Sequence, residues 1–140
     1  MTSTWVAVVA VVIVVAGLAI LIGRLVALRS TLARGAAEWP DVDTSDLGLS
    51  TTGPTILHFS APWCGPCVGV RRVVDDVCAE LPAVAHVEID MDANPEAARK
   101  LSVLSLPTTF IFDAEGRQRY RTSGVPTAAD LRSALHRLLA

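Results

Sequence analysis

The chain has 140 residues, of which 51% are hydrophobic and 19% charged, with a formal net charge of −2. The length allows one domain with a short appendage, and the apolar content excludes a disordered polymer. Without a basic excess, no nucleic-acid partner is expected, and three cysteines are too few for a disulfide-stapled secreted scaffold.

The composition is uneven along the chain. Residues 1–35 contain Arg24, Arg29 and Arg34 and no acid, whereas residues 36–140 carry a side-chain charge of −5. Trp5 to Gly23 is a run of 19 uncharged residues dominated by Val, Ile, Ala and Leu. At about 1.5 Å rise per residue, a helix over this run nearly crosses the hydrocarbon core of a bilayer, roughly 30 Å thick. Leu25, Val26, Ala27 and Leu28 extend it, with Arg24 snorkelling to the headgroups and Trp5 at the interface. The competing reading is a cleaved signal peptide. That would require a basic n-region, a shorter apolar run and a small-x-small site close behind it. Here Met-Thr-Ser-Thr precedes the run, and Ala33-Arg34-Gly35 lies far past it. The expectation is a single-pass anchor in the lipid bilayer of the cell membrane, comprising residues 1–35 with their basic juxtamembrane end. All three arginines follow the span, so the positive-inside rule places residues 24–140 in the cytoplasm.

Residues 36–53 carry Pro40, Gly48, Gly53 and four acids, and read as a linker with room for one short strand. Residues 54–140 form the domain. Thr55 to Ser60 is a β-type run between Pro54 and Pro62. Apolar residues at Cys67, Val70, Val74, Val77, Cys78 and Leu81 follow helical spacing, which Pro82 ends. Val84 to Asp90 is a second strand. Asn94-Pro95-Glu96 predicts a helix start, with Asn94 as N-cap, and the helix runs to about Ser102. Thr108 to Phe112 is a third strand, Asp113 to Gly116 a turn, and Arg117 to Thr122 a fourth strand. Thr127 to Asp130 resembles a capping box, and Leu131, Leu135 and Leu138 form the apolar stripe of a last helix. The order β-α-β-α-β-β-α implies an α/β fold. Its mixed sheet would be flanked by helices, parallel in its first part and closed by an antiparallel hairpin.

The chemistry concentrates in Trp63-Cys64-Gly65-Pro66-Cys67, between the first strand and the first helix of the domain. Two cysteines three apart at a helix start can close a small disulfide. The helix N-terminus favours the thiolate of the first, and Pro66 suits the first turn because it lacks an N–H. The thiolate attacks in disulfide exchange, and its partner resolves the mixed disulfide. Cys64 is therefore the expected nucleophile and Cys67 the resolving thiol. The alternative, half of a zinc site, needs two further ligands. Cys78, His58, His86 and His136 are not paired at ligand spacing, so no metal is expected.

At these residues the chain resembles the thioredoxin family, over roughly residues 54–140. The Trp-Cys-Gly-Pro-Cys motif is specific when a strand precedes it and a helix follows. Leu106-Pro107-Thr108 comes 40 residues after Cys67. The resemblance implies a cis peptide bond before Pro107, which would face the disulfide, shape the substrate groove and keep metal from the thiols. It implies that the Leu106 backbone pairs with the substrate chain and that Gly124 belongs to a third groove loop. Trp63, Gly65 and Pro66 complete that groove, with Trp63 offering apolar contact to protein substrates.

The departures are specific. Where the family commonly has a buried aspartate, six residues before the first cysteine, this chain has His58. His58 is read either as the proton relay for Cys67 or as a core histidine bonded to backbone. The family's nearby lysine is replaced by Glu88 or Asp90, depending on alignment, and the helix-kinking proline by Arg72. A trimmed N-terminal end is expected, because a further strand and helix do not fit residues 36–53. Cys78 is about 16 Å along the helix from Cys67, too far for a disulfide, and reads as a small buried hydrophobe. His86 and His136 are read as residues without a role.

The resemblance implies a thiol–disulfide oxidoreductase of the protein-disulfide reductase type, with no cofactor beyond the Cys64–Cys67 disulfide. Its partners would be protein disulfide substrates and a donor: thioredoxin reductase on the cytoplasmic side, or a membrane thiol donor outside. An outward-facing domain would serve cytochrome maturation or thiol reduction in exported proteins. A docking module without turnover is the non-enzymatic alternative, against which the intact cysteine pair argues.

Overall fold

The computed structural model describes residues 2–34 and 39–140, with the side chains of residues 2–4, 11 and 25–34 excepted. Leu25, Val26, Ala27 and Leu28 continue α1 as expected, whereas the readings placed on the side chains of Arg29 and Arg34 and on linker residues 36–38 lie outside what is described. The chain divides into two units, Met1–Glu38 and Trp39–Ala140.

The first unit is a helix, α1 (Thr2–Arg34). Trp5–Arg24 is long and apolar enough to cross a membrane, a property that a signal sequence near the N-terminus shares. Its described side chains are exposed all round, as expected of a helix with no polar face.

The second unit contains β1 (Thr55–Ser60), α2 (Cys67–Glu80), β2 (Ala85–Asp90), α3 (Pro95–Lys100), β3 (Thr108–Phe112), β4 (Gln118–Ser123) and α4 (Ala128–Leu139). The sheet order is β2-β1-β3-β4. β1 and β2 are parallel, β1 and β3 antiparallel, and β3 and β4 antiparallel. The parallel expectation thus holds for β1 and β2 and fails for β3. The connection through α3 leads back to the end of the sheet where β2 left, and β3 enters there.

Every residue of the two central strands, β1 and β3, is buried. Alternation then sorts their side chains onto two faces. Ile56 and Ile111 pack with Val70, Val74 and Val77 of α2 and with Leu131 and Leu135 of α4. Leu57, Phe59, Phe110 and Phe112 pack on the other face with Ala98, Leu101 and Leu47. The terminal helix is capped as its sequence predicts, Thr127 Oγ1 accepting from the Asp130 N–H at 3.1 Å. Asn94 does not cap α3 with its side chain; its Nδ2 donates to the Asp90 carbonyl at 3.2 Å instead.

Residues 39–53 contain a turn and no strand. They pack on the domain through buried Leu47, through Thr44 Oγ1, which donates to the Gly116 carbonyl at 3.1 Å, and through the Asp46–Lys100 ion pair at 2.6 Å.

Candidate active site

β1 ends at Ser60, and the chain turns through Ala61 and Trp63 into α2. Cys64 and Cys67 are joined as a disulfide with Cα atoms 5.5 Å apart. The Cys64 carbonyl accepts from the Cys67 N–H at 3.3 Å, and the Pro66 carbonyl accepts from Gly69 and Val70, which starts the helix without any donor on Pro66. Both cysteines are buried, at 8% and 2% exposure, so the disulfide is reached only at its Cys64 side. Cys67 Sγ lies 3.9 Å from the Phe59 carbonyl.

Two further loops close on this turn. Leu106–Pro107 is a cis peptide, and Leu106 packs against Ala61, Cys64 and Cys67. The Gly124 N–H donates to the Pro107 carbonyl at 2.9 Å, and Val125 lies over Gly69 in the first turn of α2. Three segments far apart in sequence therefore meet at the disulfide. Trp63, Val68, Leu104 and Val125 are exposed. Trp63 is oriented by its indole Nε1, which donates to Asp92 Oδ2 at 2.9 Å.

His58 is the residue before Phe59 on β1, whose carbonyl faces Cys67 Sγ, and is completely buried. Burial holds its pKa down to about 4, against an opposing pull from Glu88. Glu88 is its register partner on β2, with Oε1 3.6 Å from His58 Nε2. Arg71 of α2 donates to Glu88 with Nε at 2.9 Å and also with Nη2, which with smaller help from Ser60 and His58 holds the carboxylate at about 2. Of the two candidates for the family's lysine position, Glu88 is thus the one that faces His58.

A family model described as Thioredoxin matches residues 45–137. The chain belongs to the thioredoxin family. It is 40% identical over 67 residues to the thioredoxin of Mycolicibacterium smegmatis, covering 46% of this chain and 60% of that protein. It is 36% identical over 74 residues to the thioredoxin of Chlamydia trachomatis serovar D, covering 53% of this chain and 72% of the other. The crystal structure of chloroplastic thioredoxin z is similar with a TM-score of 0.57 and 31% identity, covering 63% of this chain and 80% of that one. Fasciola hepatica thioredoxin is similar with a TM-score of 0.55 and 33% identity, covering 62% and 82%.

Measured against the thioredoxin expectations, the structure brings together Trp63, Cys64, Gly65, Pro66, Cys67, Leu106, Pro107 and Gly124. Sequence reasoning missed Asp92 and Arg71, gave no role to His86, and named Glu88 without its contacts. Asp92 holds Trp63, Glu88 and Arg71 form a pair against His58, and His86 contacts His58 directly. Contrary to expectation, His86 has a defined contact, its Nε2 lying 3.0 Å from His58 Nδ1. Its signal was available in the parallel register, where residue 86 falls beside residue 56 and points to the same face as His58. Cys78 is a free, half-buried thiol whose pKa burial raises, consistent with a packing role. Among the described residues no group of three or more His, Cys, Asp or Glu is placed to hold a metal ion.

Proposed function

We propose that this thioredoxin-family chain is a thiol–disulfide oxidoreductase that reduces disulfides in protein substrates through Cys64 and Cys67, tethered to a membrane by α1. The observation that carries this reading is the Cys64–Cys67 disulfide seated against the Leu106–Pro107 loop.

In the reduced protein the Cys64 thiolate attacks one sulfur of the substrate disulfide. A mixed disulfide forms and one substrate thiolate leaves. Cys67 then loses its proton and attacks Cys64 Sγ, closing the Cys64–Cys67 bond and expelling the second substrate thiolate. Two electrons pass to the substrate, and the two released thiolates take up protons. Cys67 is the more buried cysteine, so its ionisation is disfavoured without a base nearby. His58 serves as that base. Its burial keeps it neutral at physiological pH, and its Nε2 makes no hydrogen bond in the fold. No cofactor is required, because the disulfide itself carries the electrons.

The exposed apolar side chains of Trp63, Val68 and Val125 surround the Cys64 side, and the Leu106 backbone pairs with an extended substrate segment. With a cytoplasmic domain the electron donor is a thioredoxin reductase; with an outward-facing domain it is a membrane thiol donor.

Two measurements test this. The full-length chain in detergent should reduce insulin disulfides with a chemical donor, and Cys64→Ser should abolish the reaction. Activity that survives Cys64→Ser rejects the site. In intact cells, labelling of reduced Cys64 by an impermeant thiol reagent should fail if the domain is cytoplasmic; labelling places it outside.

A further inference from the structure

The strand register sets a polar row across the sheet face that packs on α2. Glu88, His58 and Thr109 are neighbours on β2, β1 and β3, and His86 lies two residues before Glu88, opposite Ile56. His58 Nδ1 is 3.0 Å from His86 Nε2. The ring centroids are 5.0 Å apart with 21° between the planes. Nitrogens much closer than centroids mean that the rings meet edge to edge in nearly one plane. That is the geometry of an imidazole N–H···N hydrogen bond, not of face-to-face stacking.

Each end of the pair differs. At the outer end, His86 Nδ1 is 3.4 Å from Asp75 Oδ1 of α2, and the His86 side chain is 20% exposed. At the inner end, His58 Nε2 is buried with no hydrogen-bond partner. A neutral imidazole carries one proton on two nitrogens. The Asp75 carboxylate favours that proton on His86 Nδ1, whereas the Glu88 charge 3.6 Å from His58 Nε2 is already paired with Arg71. His86 Nε2 is then the acceptor, His58 Nδ1–H the donor and His58 Nε2 the free base.

We propose that His86 is the outer half of a two-imidazole relay, which positions His58 and carries the Cys67 proton to solvent beside Asp75. The proposal rests on the reading of His58 as the base for Cys67. The Cys67 proton binds His58 Nε2, the Nδ1 proton of His58 passes to His86 Nε2, and the Nδ1 proton of His86 leaves to solvent. The Cys67 electron pair stays on sulfur for the attack on Cys64. Both rings end in the opposite tautomer, and re-reduction of the disulfide returns them by the reverse path. The groups facing the pair are Glu88 from β2, Arg71 and Asp75 from α2, and Thr109 from β3. Arg71 already compensates Glu88, so Asp75 is the carboxylate left to balance a cationic His86. The positive charge thus rests on the half-buried ring rather than on His58.

The test uses the reduced full-length chain in detergent, with Cys78→Ala to silence the third thiol. The aryl disulfide dithionitrobenzoate releases one coloured thiolate when Cys64 attacks and a second when Cys67 resolves. His86→Gln keeps a hydrogen-bonding group beside His58 but cannot relay a proton. It should leave the first phase unchanged, flatten the pH dependence of the second and slow it about tenfold at neutral pH. Removing the base itself with His58→Gln should cost about 10²-fold or more. If His58→Gln slows the second phase and His86→Gln does not, the relay is overturned and the role of His58 stands. If neither slows it, both fall. Equal slowing of both phases by His86→Gln also overturns the relay, because it marks a structural role.

Discussion

The Gly124 N–H donates to the carbonyl of Pro107 at 2.9 Å, tying the loop after β4 to the cis-proline loop that covers the disulfide. Gly124 has φ of +82°, and a Cβ there would meet no neighbouring atom within 4 Å. The constraint is the backbone itself. Gly124→Ala should therefore cost about 1–2 kcal/mol, read from urea denaturation. Substrate reduction should slow with it, because the loop and Pro107 move together. An unchanged urea midpoint would show that the left-handed conformation is not required.

Stability should fall as the pH is lowered. The His58 pKa drops from 6.5 in the unfolded chain to about 4 in the folded one, burial being the main cause. The unfolded state therefore binds the proton first. Stability is complete above about pH 6.5 and decreases by about 3 kcal/mol as the pH falls to about 4. Glu88, held at about 2 mainly by Arg71, adds a further loss below its ordinary range near 4.5. His58→Gln should flatten the upper window and leave the lower one. Urea midpoints across the acid range measure both.

Trp63 and Asp92 are joined by a single hydrogen bond at the surface. Asp92→Ala should change stability by no more than about 0.5 kcal/mol, as for most surface substitutions. It frees the exposed indole proposed to contact protein substrates. The KM for insulin should rise severalfold, with kcat and the reaction with dithionitrobenzoate unchanged. A fall in kcat would assign Asp92 to the chemistry instead.

Much of this was legible in the sequence. Prolines at 54, 62, 82 and 107 punctuate the elements, and the valine spacing of α2 marks its buried face. The sharp Cys-Gly-Pro-Cys turn needs only local information. What was not legible depends on pairs made across the sheet. The direction of β3 is a matter of sheet pairing, which apolar periodicity does not report. Asn94 has the residue type of a cap but bonds to Asp90. His86, Glu88 and Asp92 gain their contacts from strand register and from α2 lying over β2. No local pattern marks them.

The central claim is that Cys64 forms the covalent bond to substrate and Cys67 breaks it. Cys67→Ser removes the resolving thiol and should trap protein substrates as mixed disulfides through Cys64. Full-length Cys67→Ser, isolated under non-reducing conditions and mapped by mass spectrometry, tests this most directly. The expected result is a linkage at Cys64 that a reductant releases and that Cys64→Ser abolishes. Linkage through Cys78, or none in a protein that keeps its fold, would contradict the account.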